Sequence, residues 1–249
     1  MSARTALITG GTSGIGKATA ELLHERGFHV IVTGQNPDTI ALAEKQLPQG
    51  VVVVKADARS LRDTDHLADL VKGRFDTVDV LFLNAGISPA LRFEDVDEAA
   101  FDDLVSVNLK GPFFMLQKML PLLNDEGSII FNVGIGATRG IAGASASATA
   151  ATKGALLALV PSLALTLAPR GIRVNAVSPG TIDTGIFAKR GLPPEAVDQM
   201  TTTLASTIPF GRLGSSAEIA EVVAFLASDA ASYITGENIV VGGGLGIRA

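Results

Sequence analysis

The sequence predicts a single doubly wound α/β domain spanning residues 1–249, with a parallel seven-stranded sheet. Three observations predict it. Short apolar runs alternate with longer amphipathic ones along the chain. The short runs are continuously apolar and β-branched, the pattern of strands buried on both faces. The first of them leads directly into a glycine-rich loop and then a helix.

Ala6 to Thr9 is the first expected strand and Gly14 to Arg26 the first helix. His29 to Thr33 follows as a strand, Pro37 to Gln46 as a helix, Val51 to Lys55 as a strand, and about Leu61 to Gly73 as a helix. Val78 to Leu83 is the fourth strand and ends in Asn84-Ala85-Gly86. Asp97 to Leu123 reads as one long helical stretch bent near Gly111-Pro112. Ser128 to Val133 is a strand, Ser147 to Ala168 a helix, Arg173 to Val177 a strand, Ser215 to Ser228 a helix, and Asn238 to Val241 the last strand. Strands separated by helices imply right-handed parallel crossovers. The segment from about Thr181 to Arg212 breaks the rhythm, being rich in Gly, Pro and Thr. It reads as a helical lid over the carboxyl edge of the sheet, with Ile182, Ile186, Phe187 and Leu192 as its apolar face.

Composition narrows the function. The 249 residues carry 20 basic and 25 acidic side chains, a net charge of −5, which argues against a nucleic-acid partner. There is no cysteine, which excludes disulfides, a thiol nucleophile and thiolate metal sites. His24, His29 and His66 lie far from the motif residues, so no metal is expected. Hydrophobic residues make up 47% and charged ones 18%, enough for a sizeable core. The first residues do not resemble a signal peptide. The most apolar tract, Gly154 to Ala168, is broken by Pro161 and carries Ser162 and Thr166. A cytoplasmic protein without a membrane partner is the expectation.

The loop Thr9-Gly10-Gly11-Thr12-Ser13-Gly14-Ile15-Gly16 has glycines spaced for dinucleotide binding. Gly10 permits a tight turn, Gly14 lets a pyrophosphate approach the backbone, and Gly16 lets the helix pack against the strand. The second strand ends in Thr33-Gly34-Gln35-Asn36. It has neither the carboxylate that favours NAD nor the arginine that favours NADP. Thr33, Gln35 and Asn36 can donate to a phosphate without repelling it, so NADP is weakly preferred over NAD.

With these motifs in order the sequence resembles the classical short-chain dehydrogenase/reductase family of Rossmann-type proteins. The resemblance rests on Thr9 to Gly16, Asp57-Ala58, Asn84-Ala85-Gly86, Asn108, Lys153, Arg173 to Gly180, Thr184, Gly211-Arg212 and Tyr233-Ile234-Thr235-Gly236. It implies that Gly10, Thr12, Ser13, Gly14, Ile15, Gly16, Thr33, Gln35, Asn36, Asp57, Ala58, Asn84, Ala85, Gly86, Lys153, Pro179, Gly180, Ile182 and Thr184 surround the cofactor. Asp57 would sit at the adenine and Asn84-Ala85-Gly86 along the adenosine ribose. Pro179-Gly180 and Thr184 would hold the nicotinamide carboxamide. Lys153 would hydrogen-bond the nicotinamide ribose and lower the pKa of a neighbouring tyrosine, with Asn108 linking it to solvent through a water. Two of these residues have a purely structural alternative: Asn108 could cap the helix kink, and Thr184 the helix that follows it. The family also implies a homotetramer, consistent with the apolar Gly154 to Ala168 helix. One departure bears on that assembly: Gly242-Gly243-Gly244 follows Val241 directly, without the family's frequent acidic residue.

The catalytic hydroxyls of the family are absent. Four residues before Lys153 stands Thr149 in place of tyrosine, and the serine position falls on Gly134 or Gly136. The only tyrosine, Tyr233, belongs to the structural motif near the C-terminus. Thr138, Ser145, Ser147 and Thr149 surround the expected position of the substrate oxygen, and Lys153 could protonate through a water held by one of them. Ser145 and Ser147 would serve equally as helix caps. The expected activity is therefore an NAD(P)-dependent oxidoreductase acting on a small carbonyl or alcohol, with Asn108, Lys153, Thr149 and Ser147 as candidate catalytic residues. The main alternative is a catalytically inactive nucleotide-binding homologue, a sensor or partner subunit. A lyase or isomerase lacks a paired acid and base.

Overall fold

The computed structural model describes residues 3–140, 146–185 and 193–247. Seven parallel strands form the sheet: β1 (Thr5–Ile8), β2 (His29–Gly34), β3 (Val52–Lys55), β4 (Val78–Leu83), β5 (Leu123–Asn132), β6 (Arg173–Pro179) and β9 (Asn238–Val241). Their spatial order is β3-β2-β1-β4-β5-β6-β9. The winding reverses between β1 and β4, so the loops leaving their carboxyl ends diverge and open a crevice there.

Successive side chains on each strand enter opposite cores. Ala6, Ile8, Val30, Val32, Val80, Phe82 and Ile130 face helices α1 (Gly14–Glu25), α2 (Pro37–Gln46) and α8 (Ser216–Ala227). Leu7, Ile31, Leu81, Leu83, Ile129, Phe131, Val174 and Ala176 face α3 (Leu61–Arg74), α5 (Gly111–Met119) and α6 (Ala146–Leu167). Phe82 and Phe131 anchor the two layers and are fully buried, so truncating either to alanine costs about 3–5 kcal/mol. Helix α6 contributes Leu156, Val160, Ala164 and Leu167 to this core. By length and mean hydropathy (1.5) the stretch Ser147–Arg170 would also suffice to cross a bilayer. Leu165 on its outer side is 80% exposed.

The long helical stretch expected over Asp97 to Leu123 is divided. Helix α4 (Glu98–Val105) passes into a π-turn over Ser106–Lys110 before α5, and a 3₁₀ turn over Leu120–Leu122 precedes β5. The Gly111 N–H reaches back five residues to the Ser106 carbonyl, and Pro112 has no N–H to offer Asn108. β5 begins at Leu123, five residues before the expected start. Val78 pairs with Leu123 and Val80 with Ser128, so the polar Asn124-Asp125-Glu126-Gly127 forms a bulge that hid the strand's origin.

A second, two-stranded sheet was not expected: β7 (Ile182–Asp183) pairs with β8 (Gly214–Ser215) and closes the base of the segment between them. Within that segment α7 (Pro194–Ala205) is helical. Ile186, Phe187 and Leu192 lie outside the described residues. Ser215 caps α8 in a reciprocal box with Glu218, and Arg212 pairs with the same carboxylate.

Candidate active site

Two adjoining cavities, of about 380 and about 590 Å³, lie at the carboxyl edge of the sheet. The first is walled by the loop after β1 and by the ends of β2, β3 and β4. The second is walled by the end of β5, the start of α6 and the end of β6. Ile15 and Thr184 line both.

Backbone crowding fixes the glycine loop. A Cβ on Gly16 would stand 2.3 Å from the Gly10 carbonyl oxygen, and one on Gly10 would stand 2.9 Å from Ala85 Cα. Gly14, at φ +54°, would meet only the Thr184 side chain, at 3.2 Å. Asn84 Nδ2 donates to the carbonyls of Thr9 and Gly10, and Asn132 Nδ2 donates to Asn84 Oδ1. The loop is thus held from β4 and β5. Ser13 at the start of α1 makes no capping bond, and the first turn has no acidic residue. By contrast Asn36, Ser60, Asp97 and Ser215 cap α2, α3, α4 and α8. The uncapped N–H groups of α1 and its dipole favour an anion at Ser13, Gly14 and Ile15 on the cavity wall.

At the far end of the first cavity stand Thr12, Thr33, Gln35, Asn36, Asp57 and Ala58, as the sequence suggested. Asn36 Oδ1 is occupied by the N–H groups of Asp38 and Thr39, so that oxygen serves α2. The end of β2 carries no arginine, but one reaches this site from elsewhere in the chain. Arg59, from the loop after β3, lines the cavity and donates from Nη1 to Gln35 Oε1 at 2.9 Å and to Asp57 Oδ1 at 3.1 Å. Its Nε and Nη2 grip Asp103 on α4. The bonds to Asp103, then those to Asp57, raise its pKa, against the opposing effect of burial. The end of β2 held no hint of Arg59, because the residue belongs to another crossover.

The turn after β4 joins the two cavities. Asn84, Ala85 and Gly86 line the first, and a Cβ on Gly86 would stand 3.1 Å from Lys153 Nζ. Asn108 is fully buried. Its Oδ1 accepts from the Ile87 N–H at 2.8 Å, and its Nδ2 donates to the Ile87 carbonyl at 3.0 Å and to Thr152 Oγ1 at 3.2 Å. Asn108 thereby ties the π-turn to the β4 loop, a sturdier role than a helix cap. Lys153 is buried and donates to the Asn132 carbonyl at 2.8 Å. Burial lowers its pKa to about 8.

Ser147, Thr149 and Lys153 line the second cavity together with Pro179, Gly180, Ile182 and Thr184. Thr149 and Lys153 are one turn apart on α6 and so share a face. Ser147 is exposed, and Thr149 Oγ1 lies 3.3 Å from Ser88 Oγ. Ser88 was missed by the sequence reading; its place after Asn84-Ala85-Gly86 was the available signal. Thr138 does not line this cavity; its hydroxyl donates to the Ile135 carbonyl. Ser145 lies outside the described residues. Tyr233 is fully exposed and lines neither cavity. Gly134 has φ +88°, whereas Gly136 has an ordinary φ and would meet only Ala150 Cβ, at 3.9 Å. A serine fits at 136 and is strained at 134.

A family model described as enoyl-(acyl carrier protein) reductase matches residues 10–246. The chain is 37% identical over 245 residues to cis-4-hydroxycyclohexanecarboxylate dehydrogenase of Sinomonas cyclohexanicum, covering 97% of this chain and 96% of that protein. Among solved structures it is similar to a short-chain glucose/ribitol dehydrogenase from Brucella melitensis. That match has a TM-score of 0.89 at 35% identity and covers 98% of this chain and 97% of that one. It is also similar to an NADPH-bound short-chain oxidoreductase from Pseudomonas aeruginosa PAO1, described as containing an atypical catalytic center. There the TM-score is 0.90 at 30% identity, with 99% and 98% covered.

Proposed function

This chain belongs to the short-chain dehydrogenase/reductase family, and on that premise we propose that it is an NAD(P)-dependent oxidoreductase of a carbonyl/alcohol pair with non-standard proton delivery. The observation that carries the proposal is the buried Lys153 on the same cavity wall as the Thr149–Ser88 hydroxyl pair. The glycine loop, crowded by backbone at Gly10 and Gly16, and the uncapped α1 terminus fit a dinucleotide pyrophosphate. Asp57 and Ala58 would meet the adenine. Pro179, Gly180, Ile182 and Thr184 would meet the nicotinamide end.

A bound reduced nicotinamide supplies a hydride to the carbonyl carbon. The carbonyl oxygen then needs a proton. In this proposal Thr149 Oγ1 donates it, and the Lys153 ammonium replaces it directly or through a water. Solvent in turn reprotonates the lysine. A threonine hydroxyl is a far weaker acid than a tyrosine, so the wild-type rate is lower than with a general acid of matched pKa, by up to about 10²–10⁴-fold. Reduction needs the ammonium and should fall as pH rises through about 8, the Lys153 pKa; oxidation should rise over the same range.

The inactive nucleotide-binding alternative is favoured by one observation, the threonine in place of an acidic phenol at 149. The purified chain with NADPH or NADH, a panel of ketones and the absorbance of the reduced nicotinamide decides between the two. Turnover lost in Lys153→Met supports the enzyme. Tight nucleotide binding with no turnover on any ketone supports the inactive homologue. The proposal also comprises a single unit over 1–249 with a lid over about 181–212, a modest NADP preference, a cytoplasmic homotetramer, and no nucleic-acid, metal or membrane partner. Exposed Phe113 and Leu165, on α5 and α6, offer apolar surface for the tetramer, which light scattering would read as four times 25.6 kDa.

A further inference from the structure

We propose that Arg59 selects the 2′-phosphorylated cofactor, as the cation of the adenosine end and as the group that orients the Gln35 amide. The proposal rests on the dinucleotide reading of the cleft. In doubly wound sheets the end of β2 meets the adenosine ribose, and a nearby arginine accommodates a 2′-phosphate. Here Gln35 stands at that end, and Arg59 reaches it from the neighbouring crossover.

A guanidinium only donates, so Gln35 must present its carbonyl oxygen to Arg59, at 2.9 Å. This places the amide NH₂ on the opposite side of the group, where it can only donate. A phosphate accepts from both groups, whereas a ribose hydroxyl gains no charge pairing. The geometry is preorganised: Asp103 takes the Nε hydrogen and one Nη2 hydrogen of Arg59, and Gln35 and Asp57 take the two Nη1 hydrogens, so a 2′-phosphate accepts the remaining Nη2 hydrogen or displaces the Asp57 carboxylate at Nη1. Two carboxylates surround the one guanidinium, so the local charge sums to −1 and the preference is modest.

Calorimetric titration of the full chain with NADPH and with NADH tests the assignment. Wild type should bind NADPH about ten-fold more tightly than NADH, and Arg59→Met should remove that ratio by weakening NADPH more than NADH. Arg59→Lys, which keeps the charge and loses the fork, should retain part of the ratio. Asp103→Asn should raise the ratio by removing a competing negative charge. Raising the salt from about 0.1 to about 0.5 M should narrow the ratio in wild type and leave Arg59→Met unchanged. If Arg59 merely ties the β3 loop to α4, Arg59→Met weakens both nucleotides equally, and that result overturns the proposal. A wild-type chain that binds NADH but shows no NADPH preference also overturns it while leaving the dinucleotide reading intact. Failure to bind either nucleotide overturns both.

Discussion

At the β1–α1 end of the cleft, loop and neighbouring strands are locked together. Asn84 holds the carbonyls of Thr9 and Gly10, Asn132 holds Asn84, and no Cβ can enter at Gly10 or Gly16 without striking backbone. At the α6 end the wall is made of small side chains around open space. Ser147 is exposed, Thr149 meets Ser88 across the cavity, and Gly136 has room for a side chain. The first half is fixed by backbone sterics, which tolerate few residues. The second is set by side-chain identity, which can change without disturbing the fold. Under the proposed function, nucleotide binding and proton delivery would therefore be separable.

The largest effect that would break this contrast is at Gly14. Gly14→Asp places a carboxylate at the α1 N-terminus and meets only the Thr184 side chain. Nucleotide affinity should fall about a thousand-fold or more by calorimetry while circular dichroism stays native. Gly16→Asp, against backbone at 2.3 Å, should instead unfold the loop and lower the Tm. Equal behaviour of the two variants would erase the distinction drawn for the first half.

Lys153 tests whether the second half stores an electrostatic cost. Its folded pKa is about 8, against 10.5 for an ordinary lysine. Below pH 8 the residue is charged in both states, and the fold carries the full cost of a buried ammonium. Between about 8 and 10.5 the unfolded chain binds more protons, so stability rises with pH by roughly 3 kcal/mol in all. Lys153→Met should be the more stable protein near pH 7, with the gap closing toward pH 10.5 in urea titrations. A gap independent of pH would show that desolvation is not the cause.

A smaller effect is expected at Thr149. Thr149→Tyr has the larger cavity to enter and should raise ketone reduction about 10-fold, within the range of a general acid. Adding Gly136→Ser should help further, whereas Gly134→Ser should not, because position 134 holds φ +88°. Wild-type turnover that drops in both Thr149→Tyr and Ser88→Ala would instead identify the hydroxyl pair as the working donor. The smallest change sharpens the first half. Asn36→Ala removes the α2 cap and should cost about 1 kcal/mol in chemical denaturation.

Much of this was legible in the sequence for identifiable reasons. Pro37–Gln46, Val78–Leu83 and Asn238–Val241 fall where the pattern put them, because capping residues and β-branched runs act locally. The start of β5 was not legible, because a polar bulge masks a strand buried on both sides of it. The paired strands Ile182–Asp183 and Gly214–Ser215 are too short to leave any periodicity. In the site, the glycine loop, Lys153 and the absence of a tyrosine at 149 were all readable.

The sequence by itself determined the alternation of strands and helices, the glycine spacing of the first loop, and that threonine stands four residues before Lys153, since each depends on residues within a few positions of one another. Only the tertiary structure decided that Arg59 meets Gln35 and Asp103, that Ser88 meets Thr149, and that Asn108 grips Ile87. The Arg59 and Ser88 pairs join different crossovers of the sheet, and Asn108–Ile87 joins two parts of one crossover. The parallel winding sets such distances, and no spacing along the chain encodes them.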